Sequence, residues 1–234
     1  MQYGEILTLG RHKLMCGDAT NRDDVMRLIG DDRVNLVLTD PPYGIRSVNH
    51  KTGKIGGGSR GFESKVYPEV IGDYSTEMFR DHYQILRTNT LAMIIWGGQN
   101  FTDILPPVYG WIVWDKAKNC ETLSFSDCEL AWSNLGSRVR KYVQRWNGYV
   151  RDGDKTLNAK VHPNQKPVEL HMKILEDFSQ PDNVILDCFG GSGTTLIACE
   201  MTGRKCLMME ISPEYCGIIA ERFNKLKEEL RFTF

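Results

Sequence analysis

What constrains this chain most is a series of short, near-continuous apolar runs separated by stretches of helical spacing. The runs cover residues 12–18, 34–40, 91–97, 111–116, 129–134, 184–190 and 205–211, and a further short strand is expected at residues 5–9. A strand wetted on one face alternates polar and apolar residues. Runs such as Val-Asn-Leu-Val-Leu-Thr-Asp and Val-Ile-Leu-Asp-Cys-Phe-Gly do not, and so read as strands covered on both faces. Between them, residues 76–86 place Phe79, Tyr83 and Leu86 on one helical face. Residues 167–178 open with a proline in the first turn and align Leu170, Ile174, Leu175 and Phe178. Residues 215–230 align Ile218, Ile219, Phe223, Leu226 and Leu230. Strand alternating with helix predicts an α/β class, doubly wound around a mostly parallel sheet.

The chain's 234 residues suit a single domain over 1–234, and a hydrophobic share of 41% with 25% charged residues is that of an ordinary globular protein. Seven cysteines form no C-x-x-C pair, which predicts free thiols packed as small hydrophobes and no metal site. No apolar leader and no bilayer-length apolar run is evident, so a cytoplasmic protein without a membrane partner is expected. Two segments break the strand-and-helix rhythm. Residues 44–72 are rich in Gly, Ser and Lys, and residues 136–161 are polar and basic. Both read as excursions from the sheet edge, where α/β proteins place their sites.

One such edge carries Asp187-Cys188-Phe189-Gly190-Gly191-Ser192-Gly193-Thr194-Thr195, a glycine-rich turn leading from an apolar strand into a helix at 196–201. Glycines there let the backbone approach a ligand and leave N–H groups free at the helix start. The spacing is neither the dinucleotide fingerprint nor a P-loop. The next strand ends at Glu210, a carboxylate that can accept both hydroxyls of a ribose. The turn suits a nucleotide-like cofactor, and equally a purely structural close approach.

A second edge carries Asp40-Pro41-Pro42-Tyr43. Two prolines fix the backbone and remove two N–H donors, leaving the Asp40 carboxylate and nearby carbonyls as acceptors beside an aromatic face. That set suits a planar base bearing an amino group. A capped Pro-Pro turn that merely ends a strand has the same residues.

Together the two motifs resemble the amino-methyltransferases that act on DNA, whose motif IV is D-P-P-Y and motif I F-x-G-x-G. D-P-P-Y precedes Phe189-Gly190-Gly191-Ser192-Gly193, the permuted order of the β-class. His162-Pro163-Asn164-Gln165-Lys166-Pro167 resembles the H-P-x-Q-K-P element upstream of motif I, and Cys16-Gly17-Asp18-Ala19 the G-D element bordering the cofactor's adenine. Residues 125–134 resemble the strand region before the target-recognition segment.

The resemblance implies the class I S-adenosylmethionine-dependent methyltransferase fold, a seven-stranded sheet with strand 184–190 beside strand 34–40. It implies S-adenosylmethionine as methyl donor, no metal, and double-stranded DNA as partner, in the setting of restriction–modification, with a homodimer as the assembly suggested by family analogy. Cofactor contacts would fall on Asp18, Ala19, Asp40, Lys166, Asp187, Phe189, Gly190, Gly191, Ser192, Gly193, Thr194 and Glu210. Ser192 and Thr194 would hold the methionine carboxylate, with Lys166 adding charge there or meeting a phosphate. Asp40, Pro41, Pro42 and Tyr43 would be catalytic. Asp40 and the Pro41 carbonyl would accept the amine's two hydrogens and localise its lone pair for attack on the methyl, while Tyr43 stacks on a flipped base. Aspartate at position 40 leans toward adenine N6 over cytosine N4, whose enzymes more often carry serine there. RNA or protein amines, and a binding module without activity, are the other readings.

The excursions would meet the DNA. Residues 44–72, a mobile loop beside the catalytic turn, carry Arg46, Lys51, Lys54, Arg60 and Lys65 against Glu63 and Glu69. Residues 136–161, a short target-recognition insert, carry Arg138, Arg140, Lys141, Arg145, Arg151, Lys155 and Lys160 with Tyr142, Trp146 and Tyr149 interleaved. Excess positive charge with aromatics suits phosphate contact and base stacking, although the net charge of the whole chain is −1.

Overall fold

A computed structural model describes residues 1–44, 75–116, 126–147, 150–151, 153, 161–162 and 164–231. The first half runs β1 (Ile6–Leu9), β2 (His12–Cys16), α1 (Arg22–Ile29), β3 (Leu36–Thr39), α2 (Glu77–Asn89), β4 (Met93–Trp96) and a single 3-10 turn (Gly98–Asn100). It continues through β5 (Gly110–Asp115), β6 (Cys128–Ser133), β7 (Arg140–Val143), β8 (Trp146–Asn147) and β9 (Val150–Arg151). The remainder is α3 (Val168–Phe178), β10 (Val184–Asp187), α4 (Thr194–Thr202), β11 (Lys205–Glu210) and α5 (Pro213–Arg231).

Every expected strand forms, but among the described residues the sheet has nine strands and not seven, in the order β1-β2-β11-β10-β3-β4-β6-β5-β7. It is parallel from β2 through β11, β10 and β3 to β4, with antiparallel pairings at β1–β2, β4–β6 and β5–β6. One extra strand is the hairpin partner β1. The other is β7, an edge strand that pairs parallel with β5. Its sequence, Arg-Lys-Tyr-Val, buries only Tyr142, so it leaves no apolar run to read. Arg140–Val143, within the segment expected as an excursion, therefore belongs to the sheet.

Alternate side chains of the central strands feed two cores, as the pleat requires. Leu36, Leu38, Ile94 and Trp96 pack with Leu170 and Ile174 of α3, Leu196 of α4 and Ile219 of α5. Val37, Met93 and Ile95 face the other way, onto Val25 and Leu28 of α1 and Phe79, Tyr83 and Leu86 of α2. Burying side chains of this size contributes about 1.5–3 kcal/mol each, and this fixes the strand register. Helix α1, which the periodicity passed over, is short and half charged. Asn21 caps it by accepting from the Asp23 and Asp24 amides, and Val25, Leu28 and Ile29 are buried. Cys16, Cys188, Cys199, Cys206 and Cys216 are free and buried. Among the described residues, no helix is long and apolar enough to cross a membrane.

Because β3, β4, β10, β11 and β2 run the same way, their carboxyl ends open at one edge of the sheet. Asp40, Gly97, the turn after Asp187, Glu210 and Asp18 all lie along it.

Candidate active site

The pairing of β10 with β3, with Ile185 opposite Leu36, sets the two sequence motifs side by side. A buried hydrogen bond ties them together: the Thr39 hydroxyl donates to Asp187 at 2.8 Å. Asp187 also accepts from the Phe189 amide at 3.1 Å, and burial pushes its carboxyl up to about 7.

The glycine turn is bound tightly on its inner side. The Gly190 amide donates to the Met209 carbonyl at 2.8 Å, and a Cβ at Gly190 would meet Met208 at 2.9 Å. Gly193 opens α4 in the left-handed region at φ +79°, and a Cβ there would meet Ile219 at 2.9 Å. Only glycine satisfies both the dihedral and the approach. Glu210, at the end of the neighbouring strand, accepts from the Gly191 amide at 2.7 Å and from the Ser212 amide at 2.9 Å. Burial raises its carboxyl above the ordinary range.

Asp18 and Ala19 lie just past β2, where the Gly17 amide donates to the Glu210 carbonyl. The Asp18 carboxylate accepts from the Thr20 amide and hydroxyl, both at 2.8 Å. Behind them, buried His82 of α2 makes a 2.8 Å contact from Nδ1 to the Ala19 carbonyl and stands edge-on to the Phe189 ring at 4.9 Å. Burial holds this imidazole down to about 4, so it is neutral.

Ser192 and Thr194 do not present their hydroxyls as expected. Both are buried, 3.1 Å from each other, and Thr194 donates to the Lys166 carbonyl at 3.2 Å. They brace the turn against the segment before α3.

Lys166 departs furthest from its expected role. Its ammonium lies in the Asp40-Pro41-Pro42-Tyr43 turn, paired with one oxygen of Asp40 and 3.5 Å from Glu129 of β6. Tyr43 donates its hydroxyl to the other oxygen of Asp40 at 2.5 Å. The acceptor-only edge read from the two prolines therefore already holds two donors, one of them 126 residues away in sequence. Glu129 in turn pairs with Lys116, at the end of β5. Burial disfavours the charge on Lys166, but Asp40 and Glu129 outweigh it and raise its pKa. Glu129 is lowered, burial being overcome by the two lysines, while Asp40 is raised by burial against the pull of Lys166. Beneath the group, the Lys166 ammonium sits 5.1 Å from the Trp96 ring, which stacks on His171. The Tyr43 ring lies over Gly97, with Phe101 edge-on at 6.3 Å. Glu129, Lys116 and Gly97 escaped the sequence reading. The one signal was a carboxylate near the start of an otherwise apolar strand.

Of the residues expected at DNA, Arg46, Lys51, Lys54 and Arg60 lie outside the described residues, as does most of the 44–72 loop. Tyr142 is buried and donates its hydroxyl to Asp177 of α3 at 2.5 Å. It belongs to the core and presents no ring to a base, because the pleat of β7 turns it inward. Arg138, Arg140 and Lys141 are exposed, and Lys141 pairs with Asp115 at 2.9 Å. The strand direction places Arg138 at the far edge of the sheet from Asp40. Arg145 and Trp146 follow β7 at the near edge, where the Trp146 amide meets the Lys116 carbonyl at 3.4 Å. Among the described residues, no group of His, Cys, Asp and Glu is placed to hold a metal.

A doubly wound sheet with these two turns at adjacent strand ends is the class I fold of S-adenosylmethionine-dependent methyltransferases. A family model described as DNA methylase matches residues 131–221. The chain is 34% identical over 237 residues to the type II methyltransferase M.HinfI of Haemophilus influenzae, covering 86% of this chain and 66% of that protein. It is 25% identical to M2.MboI of Moraxella bovis, covering 90% and 88%. The solved PvuII DNA methyltransferase, titled cytosine-N4-specific, superposes with a TM-score of 0.62 at 16% identity, covering 95% of this chain and 90% of that one. A putative DNA modification methylase from Thermus thermophilus, solved with S-adenosyl-L-methionine, gives 0.56 at 20% identity, with 92% and 93% covered. The family model and these relatives support a β-class DNA amino-methyltransferase, the group of the N6 and N4 enzymes.

Proposed function

We propose that this protein transfers a methyl group from S-adenosylmethionine to the exocyclic amino nitrogen of a base flipped out of double-stranded DNA, adenine N6 being the target. One observation carries the reading: Thr39 donating to Asp187 joins the Asp40 turn to the glycine turn, which supports a methyl donor and an acceptor amine meeting at this edge of the sheet.

The residues present fit the cofactor. Glu210 is a buried acceptor at a strand end with lone pairs left for a diol. Phe189 offers an aromatic face, Asp18 and Ala19 lie alongside, and the glycine turn admits close backbone approach. When bound, the cofactor supplies an electrophilic methyl on a sulfonium. The chain's own residues do the rest. Asp40 accepts one hydrogen of the amine and the Pro41 carbonyl the other, orienting the nitrogen lone pair toward the methyl. Asp40 has an oxygen lone pair left beside each existing donor. The Tyr43 ring, beside Asp40, would stack on the base. Arg145, Trp146 and the basic residues of 44–72 would meet the phosphates and strand.

Aspartate at position 40 favours adenine. The likeness to the PvuII enzyme, titled cytosine-N4-specific, favours a second reading in which cytosine N4 is methylated in the same pocket. Asp40→Ala is expected to abolish transfer of labelled methyl to duplex DNA while calorimetry still registers cofactor binding. Retention of most turnover by Asp40→Ala contradicts the mechanism.

A further inference from the structure

The charges around Asp40 form an alternating chain: Lys116, Glu129, Lys166, Asp40, closed by the Tyr43 hydroxyl. Lys166 has only 6% of its side chain exposed, against 23% for Asp40 and 28% for Glu129. An ammonium this buried persists only where carboxylates compensate it. One carboxylate would suffice to neutralise it, yet it has two. The second, Glu129, comes from an antiparallel strand that otherwise plays no part in the turn.

We propose that Lys166 and Glu129 are positioning residues for the reaction, Lys166 anchoring one carboxylate oxygen of Asp40 and Glu129, itself braced by Lys116, anchoring Lys166. The inference rests on the methyltransferase reading of the same site. An amine can donate to Asp40 only while that carboxylate is ionised and held in place. In a buried pocket the natural tendency of Asp40 is to take up a proton and become a donor. Lys166 opposes this. Glu129 moderates Lys166, so that the ammonium does not claim Asp40 so strongly that the amine cannot share it. The other groups facing the cluster are Tyr43 beside Asp40, Asp187 on β10, and His171 on α3. Burial, then Lys166, hold His171 at about 3, so it stays neutral throughout the working range.

The two residues act on Asp40 with opposite sign, which a merely structural role would not do. The test is single-turnover methyl transfer, followed against pH, using labelled cofactor and genomic DNA from a methylation-deficient host. Lys166→Met is expected to slow transfer about a hundredfold at neutral pH, the scale of losing one preorganised electrostatic partner. It should also move the acidic limb of the profile up by about one unit. Lys166→Arg keeps the charge and should restore the limb even if the rate stays low. Glu129→Gln, nearly isosteric and at a less buried position, is expected to move the limb the other way, to lower pH. Cofactor affinity by calorimetry should stay within about twofold in each variant and reports that the pocket is folded. Limbs that move together, or not at all, in folded variants overturn the positioning role while leaving the methyltransferase reading intact. Absence of transfer by the unaltered protein, or full activity of Asp40→Ala, overturns that reading and this inference with it.

Discussion

Gly97 gives the sharpest mechanical test of the pocket. An ideal Cβ there would lie 2.1, 2.5 and 2.6 Å from three ring atoms of Tyr43, Cε1, Cζ and Cδ1. Carbon atoms in contact rest at about 3.5–4.0 Å, so the ring must move by at least about 1.4 Å. That motion takes the Tyr43 hydroxyl off Asp40, to which it now donates at 2.5 Å. Gly97→Ala thus carries two costs. Holding alanine at φ +67° costs about 1–2 kcal/mol. Losing a hydrogen bond to a charged group costs about 1.5–3 kcal/mol more. Gly136 separates the two terms, because it has φ +77° and nothing within 4 Å of its would-be Cβ. Urea denaturation of both variants should show Gly136→Ala losing about 1–2 kcal/mol and Gly97→Ala about 2.5–5 kcal/mol. Methyl transfer should fall only in the Gly97 variant. Equal losses at the two positions would refute the packing of Tyr43 over Gly97.

Asp187 predicts a pH dependence of stability. Its folded pKa of about 7 exceeds the ordinary 3.8, so the unfolded chain ionises first as pH rises. Stability from this group therefore falls between those two values and levels off above the upper one. Urea midpoints should show that slope in the native protein and a flatter profile in Asp187→Asn; an unchanged slope contradicts the assignment. Tyr142→Phe should cost about 1–3 kcal/mol of stability through the lost bond to Asp177. It should leave DNA affinity unaltered, and a loss of DNA affinity with unchanged stability would return Tyr142 to the interface. Arg145→Ala should lower the slope of log affinity against log salt by about 1 in a fluorescence-anisotropy titration, as one phosphate contact requires. An unchanged slope removes Arg145 from the interface.

The central strands were legible because burial on both faces leaves uninterrupted apolar runs, and the two turns because glycine and proline mark backbone positions directly. Both signals are local. The edge strand β7 was not legible, since a strand with a single buried residue has no period to detect. Charge and aromatic content alone therefore point the whole basic insert toward DNA, although Tyr142 belongs to the core. Lys166 lies in the H-P-x-Q-K-P-like segment before α3, which the resemblance assigns to the cofactor or a phosphate, whereas its ammonium reaches across to Asp40. Its partner Glu129 looks like one charge at a strand start. Such pairings are set by strand order, with β6 antiparallel beside β4, and no window along the chain contains them.

The most direct measurement is the identity of the methylated nucleoside. DNA from a methylation-deficient host, treated with the protein and S-adenosylmethionine and digested to nucleosides, is predicted to yield N6-methyladenine by mass spectrometry, and none with Asp40→Ala. N4-methylcytosine would keep the pocket chemistry and change the base. Methyl on a ring carbon, or no methyl at all, would contradict an amine held by Asp40 at this edge of the sheet.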